Sequence, residues 1–295
     1  MTPFERRLLI WRENFSGSFS AKVRWRMRHD RNPLLVTVQD KYLVRQWARD
    51  LGVPTAPLLQ MAESADAFNI DALPPDCFVK ATHGCEWNLL RRDGVFYRFG
   101  AGADFVDDEG WPQPAAAFAA RRLDDGDARA LWRSWMGQKY RLAEWAYQEM
   151  TPRLLAEPVL AQRGGAPLRL YRLFTMGGVV HAIAVGGPQF ARTGSDYLMH
   201  DPHWTRWRMR GEQIRVNEAI LGARPDTLAD MLQTAQRLGQ GLDFVRVDLF
   251  DTPEGVVLNE MTVYPSGGEP GRPTPDAAFN RWLGRQWTLP RRTTP

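Results

Sequence analysis

Residues 242–262 read LDFVRVDLFDTPEGVVLNEMT, and the way these two apolar runs pair decides the reading of the whole chain. FVRVDLF and VVLNEMT flank Asp251-Thr252-Pro253-Glu254-Gly255, where an early proline and a final glycine signal a tight hairpin. A three-residue loop over Pro253, Glu254 and Gly255, with Gly255 left-handed, sets Thr252 against Val256. Counting back then predicts Asp248 opposite Glu260 and Arg246 opposite Thr262. Side chains alternate along a strand, so Phe244, Arg246, Asp248 and Phe250 share one face while Val245, Val247 and Leu249 take the other. The aliphatic face is core. The other face carries two directly opposed carboxylates, an unfavourable pairing that calls for a bridging cation. Oxygen-only ligands suit Mg²⁺, which binds through one or two carboxylates plus substrate phosphates. The same residues also fit a hairpin with one solvated, charged face on which Arg246 neutralises both acids.

A chain of 295 residues holds one large or two ordinary domains, and 44% hydrophobic with 24% charged residues is a globular composition. The formal charge of +4 favours anionic ligands without choosing among them. Charge alone is no evidence of nucleic-acid binding, and none is expected. Two cysteines, Cys77 and Cys85, provide neither a disulfide framework nor a zinc quartet, which fits a reducing compartment; the cytoplasm is expected. Leu8-Leu9-Ile10-Trp11 is too short for a signal-peptide core, and no apolar run approaches the roughly 18 residues of a membrane helix.

Along the chain, residues 1–31 are rich in Arg and Trp, and Val23-Arg24-Trp25-Arg26-Met27-Arg28 reads as a solvated face with arginine stems over apolar neighbours. A face for a membrane surface or anionic polymer is the alternative. Asp40 to Gly52 predicts a helix with Leu43, Val44, Trp47 and Leu51 on one stripe, Asp40 as cap and Gly52 as stop. Lys41 then lies in its first turn. Asp76 to Lys80 is a short buried strand that runs through Thr82 to Glu86 into a returning strand, Asn88 to Arg92, with Asp93-Gly94 as the next turn. A strand, a small-residue loop and a strand make a flap whose amides can lie over phosphates. His83 in that loop reads more readily as a structural residue than as a catalyst. Residues 98–150 are expected to be helical with polar breaks, Trp132, Trp135 and Trp145 packing. Pro152 to Leu160 is a strand that Pro158 confines to an edge or turns into a hinge. Leu168 to Val185 makes two strands about Gly177-Gly178, with Arg172 the cation in mid-strand. Gly194 to Trp204 is expected as a loop, Asp226 to Leu238 as a helix, and Pro265 to Glu269 as a flexible loop. Pro290 to Pro295 is expected to be disordered.

DKYLVRQW, FVKATHG with Asn88, PRLLAEPVL, LYRLFTMGG, and FVRVDLF paired with VVLNEMT follow one another over residues 40–268. In that order and spacing they resemble the ATP-grasp superfamily, most closely its TupA-like branch, named after a protein of teichuronopeptide biosynthesis. The resemblance implies an α+β ATP-grasp fold in which lid and body subdomains grip ATP. Residues 1–75 would form an abbreviated N-terminal region, 76–157 the lid, and 158–285 the body with the metal site. It implies that Lys41 and Lys80 hold the α- and β-phosphates, with Lys80 also serving catalysis. His83, Gly84 and Asn88 would belong to the phosphate-covering flap. Glu157, Pro158 and Val159 would receive the adenine, and Arg172 would steady the transferred phosphoryl group. Arg246 would stand beside the nucleotide, and Asp248, Glu260 and Thr262 would hold Mg²⁺. Leu170 replaces a customary acid, Thr262 a customary asparagine, and Cys85 and Glu86 stand where glycine or serine is usual.

The chemistry implied is ATP-dependent phosphorylation of a carboxylate followed by attack of an amine to give an amide, with a surface polysaccharide or peptide precursor as the expected substrate. Arg192, Arg206 and Arg208 are candidates for recognising the carboxylate substrate. A kinase acting on a sugar hydroxyl at the same site, and a non-catalytic polyanion-binding module, remain as alternatives. The sequence does not specify the oligomeric state.

Overall fold

The computed structural model describes residues 5, 8, 10, 11, 15–99, 114–166, 168–187, 197–210, 218–273 and 276–290. Ser18 caps α1 (Phe19–His29) by accepting from the Ala21 amide, and Asn32 caps α2 (Pro33–Gln39), where Pro33 sits at a position whose amide has no helical partner. Asp40 Oδ1 accepts from the amides of Tyr42 and Leu43 at 2.7 and 3.1 Å and so starts α3 (Leu43–Asp50). Gly52, at φ +66°, ends it as the sequence predicts, with the Val53 amide returning to the Ala48 carbonyl at 2.8 Å.

The first sheet contains β1 (Gln60–Ala62), β2 (Cys77–Ala81), β3 (Asn88–Arg92), β4 (Val95–Phe99), β5 (Arg122–Leu123) and β6 (Leu154–Pro158). Its order is β1-β6-β2-β3-β4-β5, with antiparallel pairing throughout. Asp93 and Gly94, at φ +50° and +78°, form the expected turn. Helix α4 (Asp125–Met136) buries Trp132 edge-on against Phe68 and Phe96, with ring centroids 5.2 and 5.4 Å apart. Helix within the stretch 98–150 is confined to a 3-10 segment at Ala115–Arg121, α4 and α5 (Trp145–Glu149). The end of β4 and all of β5 are strand there, and residues 100–113 lie outside the described residues. Strand β6 is internal, because β1 covers its other side. That cover reaches only Leu154 to Ala156, so Glu157 and Pro158 pair with β2 alone and the proline costs no ladder bond.

The second sheet contains β7 (Leu170–Met176), β8 (Val179–Gly186), β9 (Tyr197–His200), β10 (Arg206–Trp207), β11 (Val245–Thr252) and β12 (Gly255–Thr262), in the order β10-β9-β8-β7-β11-β12. Strand β9 lies inside the stretch expected to be a loop. Short helix α6 (Glu218–Leu221), α7 (Leu228–Gly239) and α8 (Ala277–Gln286) complete the structure. Pro265–Gly268 is not a loose loop: it forms a 3-10 turn with Pro265 and Gly268 buried, and the Gly268 carbonyl accepts from Arg24. Of the tail expected to be disordered, residues 291–295 lie outside the described residues.

The hairpin arrives at the expected acid pairing by another route. Thr252 pairs with Gly255 rather than Val256, so Pro253 and Glu254 alone form the loop, and Leu249 pairs with Leu258. The register then shifts at Asn259, restoring Asp248 to Glu260 and Arg246 to Thr262. Without that bulge Asp248 would face Asn259 and Glu260 would point into the aliphatic core, since a one-residue slip swaps faces.

Two cores result. Val245, Val247 and Leu249, fully buried, pack in one with Met231, Ala235 and Leu238 of α7. Each of these valine, leucine and methionine side chains contributes about 1.5–3 kcal/mol. Phe19, Val23, Leu35, Val38, Val44 and Ala48 belong to the same core, whereas Ala62, Phe68, Ile70 and Leu73 pack with the first sheet. The N-terminal region expected over 1–75 is thus divided between the two halves. Nor are Arg24 and Arg26 part of a solvated face. Arg26 is fully buried and donates to the carbonyls of Phe244 at 2.8 Å and Val263 at 3.3 Å, pairs with Asp243, and stacks over the Trp287 ring.

Candidate functional site

Strand β11 lies between β7 and β12, and all eight of its residues are buried, so Asp248 does not sit on a solvated face, while Glu260 on β12 is partly exposed. Asp248 pairs in register with Glu260 on one side and Arg172 on the other. Directly opposed residues in an antiparallel sheet share a face, so Arg172, Asp248 and Glu260 project together. Arg246 donates Nε and Nη2 to Asp248 at 2.6 and 2.5 Å, and its Nη2 also reaches Glu260 at 3.5 Å and Thr262 Oγ1 at 3.0 Å. Burial pushes the Asp248 carboxyl up to about 6, although Arg246 pulls the other way. Burial likewise brings the Arg172 guanidinium down to about 10 against the attraction of Asp248. Arg172 Nη2 donates to the Gly187 carbonyl at 3.3 Å.

Among the described residues no group of three or more His, Cys, Asp or Glu gathers as a metal cage. The acid face is a different kind of site. Two carboxylates and a hydroxyl form a hard, oxygen-only donor set of the kind Mg²⁺ takes together with waters and phosphate oxygens. A buried carboxylate whose proton is held more tightly than usual is also a group that a cation would stabilise, so the residues fit the ion.

A second cluster lies at the hinge end of the first sheet. Glu157 accepts from Lys80 Nζ at 2.5 Å on one oxygen and from Arg45 Nη1 at 2.6 Å on the other. Pro158 pairs with Cys77, and Val159 packs beside Leu90, Tyr97 and Phe118. Lys41 is not simply solvated: its Nζ donates to the Gly84 carbonyl at 2.5 Å. Asn88 pairs with Lys80 across the ladder.

The loop from Thr82 to Asn88 joins the clusters. The Lys41 bond to the Gly84 carbonyl ties the loop to the start of α3, whose Val44 and Ala48 pack with the second sheet, and the Cys85 thiol feels the charges of Glu260, Lys41 and Arg246. Gly84 is required there: a Cβ on it would meet Trp87 Cε3 at 2.3 Å. His83 is buried, its Nε2 lies 3.0 Å from the Trp135 carbonyl, and burial lowers its pKa, so it acts here as a structural member of the loop.

Arg206 does not join the acid face. Its ladder partner is His200, whereas the row Asp248, Arg172, Ala184, Met199 and Trp207 takes the opposite face. Arg206 and Arg208 instead line a cavity of about 400 Å³ with His200, Trp204 and Glu218. Arg192 lies outside the described residues. Sequence reasoning missed Arg45, which lies in the first turn of α3, whereas Lys41, expected in that turn, falls ahead of the helix because it starts only at Leu43. Tyr197 was also missed. It pairs with Gly186 and projects on the Arg172 face, a position that only the unforeseen strand β9 could reveal.

A family model described as TupA-like ATPgrasp matches residues 123–288, more than half of the chain. No curated protein matches the sequence. Among solved structures, the ATP-grasp ligase PsnB complexed with minimal precursor, Mg and ADP is 13% identical with a TM-score of 0.38, covering 89% of this chain and 63% of that one. D-Alanine-D-alanine ligase from Helicobacter pylori is 15% identical with a TM-score of 0.40, covering 88% of this chain and 60% of that one. The ADP complex of purK, N5-carboxyaminoimidazole ribonucleotide synthetase, is 13% identical with a TM-score of 0.44, covering 86% and 51%. The chain therefore spans less than two thirds of the length of each of these structures.

Proposed function

Because the chain belongs to the TupA-like ATP-grasp family, we propose that it is an ATP-dependent carboxylate–amine ligase working through an acyl phosphate, on a precursor of a surface polysaccharide or peptide. The first sheet, with residues 60–75 added to the expected lid, acts as the lid, and the second as the body. The observation that carries this reading is the arrangement of Asp248, Glu260 and Arg172 side by side on one sheet face, with Cys85 of the Thr82–Asn88 loop near enough to feel the charges of Glu260 and Arg246.

Mg²⁺, when bound, would supply positive charge to the phosphate oxygens, with Asp248, Glu260 and Thr262 as the residues that hold it. Lys41 and Lys80 bind the α- and β-phosphates; the adenine lies against backbone groups at Glu157, Pro158 and Val159. His83, Gly84 and Asn88 shape the flap, and its closure excludes water from a hydrolysable acyl phosphate. Arg172 offsets the charge that develops on the transferred phosphoryl, where a fixed cation in a dry site acts most strongly. Arg246 neutralises the acid pair until the metal nucleotide arrives. The substrate carboxylate attacks the γ-phosphorus, ADP leaves, and the amine displaces phosphate. No protein nucleophile is needed. The reaction requires ATP, as the cytoplasm supplies, and no helix among the described residues is long and apolar enough to cross a membrane.

The test is phosphate release from ATP and Mg²⁺ with panels of uronic acids, peptides and amines. Release that requires an acid and an amine together is expected. A stable phosphorylated sugar would replace the ligase with a kinase, and unchanged polyanion binding by Asp248→Asn and Glu260→Gln with no ATP turnover would replace it with a binding module.

A further inference from the structure

The chain crosses between the two sheets twice, from α3 to β1 through residues 51–59 and from β6 to β7 through residues 159–169. Arg45 touches both crossings. Its Nη2 donates to the Ala56 carbonyl in the first, and its Nη1 donates to Glu157 at the mouth of the second. The neighbouring backbone is tied to both sheets, with the Leu59 amide on the Ala156 carbonyl and the Leu258 amide on the Pro54 carbonyl, each at 2.9 Å. The other Glu157 oxygen holds Lys80, and the three side chains are only 10%, 9% and 18% exposed.

We propose that Arg45 is a positioning residue that frees Lys80 for the nucleotide phosphates by keeping Glu157 neutralised when Lys80 turns away from it. This rests on the ATP-binding role of Lys80 in the reading above. A carboxylate stranded in a buried site is strongly unfavourable. With Arg45 in place, Glu157 keeps one short ion pair and its anchor on the hinge after Lys80 leaves. Without Arg45, Lys80 is the one remaining partner in this triad, and a phosphate must compete with Glu157 for it. Arg45 therefore acts on phosphate affinity through Glu157 and not on the adenine.

The experiment is calorimetry with ATP plus Mg²⁺, and separately with adenosine, on the full chain carrying Arg45→Met, Arg45→Lys, Glu157→Gln, or Arg45→Met with Glu157→Gln. Arg45→Met is expected to weaken ATP about tenfold while adenosine changes less than about twofold, and Glu157→Gln should cancel that loss. Arg45→Lys, which keeps a cation on Glu157 and suits a marginal fold, is expected within about threefold of the parent for ATP. Equal weakening of ATP and adenosine, a loss that persists in the Glu157→Gln background, a Lys variant as weak as the Met variant, or no change in any variant overturns the proposal while leaving the ATP site intact. A parent protein that binds no ATP overturns the functional reading, and this inference with it.

Discussion

Asp248→Asn and Glu260→Gln each remove one charge from the same acid pair, yet their structural costs should differ widely. Asp248 is fully buried, receives two Arg246 hydrogen bonds at 2.6 and 2.5 Å, and lies opposite Arg172. Its loss leaves buried guanidinium charge uncompensated, at a cost of about 3–5 kcal/mol. The Glu260 side chain is 30% exposed and 3.5 Å from Arg246, so its loss costs about 1 kcal/mol or less. At roughly 2–4 °C per kcal/mol, Asp248→Asn should lower Tm by about 6 °C or more and Glu260→Gln by about 4 °C or less. The assay is thermal unfolding in EDTA without nucleotide at pH 8, where Asp248, with its pKa of about 6, is ionised. Both variants should nevertheless lose at least about tenfold in affinity for ATP with Mg²⁺, because each removes a proposed metal oxygen. Equal Tm shifts would refute the burial argument, and retention of parental affinity by either variant would refute the metal assignment.

Gly84→Ala drives a Cβ to 2.3 Å from Trp87, so Trp87 must leave its stack on Trp135; a stability loss of about 1–3 kcal/mol with weaker ATP binding is expected by urea titration and calorimetry. Arg26→Met removes the ion partner of Asp243, leaving it the Trp287 Nε1 hydrogen bond, and releases the carbonyls of Phe244 and Val263; urea titration should show a loss of about 3–5 kcal/mol. His200 is buried and its pKa is lowered from 6.5 to about 4, so the folded state takes up its proton later than the unfolded chain. Its contribution is present above pH 6.5 and is lost as pH falls towards 4, about 2 kcal/mol by pH 5. Urea titrations at pH 7 and pH 5 should show that difference shrinking in His200→Gln.

The acid pairing was legible because strand alternation and hairpin counting are local rules. The loop is one residue shorter than the proline and glycine suggested, and the bulge at Asn259 compensates for it, a displacement with no signature of its own. The solvated-face alternative failed for Asp248 because nothing in FVRVDLF reveals that both faces of its strand will be buried, which depends on contacts distant in sequence. Arg26 was misjudged for a related reason: its acceptors, Phe244 O and Val263 O, are backbone groups more than two hundred positions away. Lys41, Lys80 and Glu157 were visible as charged residues at element ends, but the Arg45 link between Glu157 and Ala56 forms only when two chain crossings meet.

The most direct test is calorimetric titration of ATP into the full chain with Mg²⁺ and then with EDTA. Saturable heat that depends on Mg²⁺ and vanishes in Asp248→Asn and Glu260→Gln is the result expected. An absence of heat with Mg²⁺ present, or heat that survives both EDTA and the loss of the acids, would contradict the proposal that this sheet face holds a metal nucleotide.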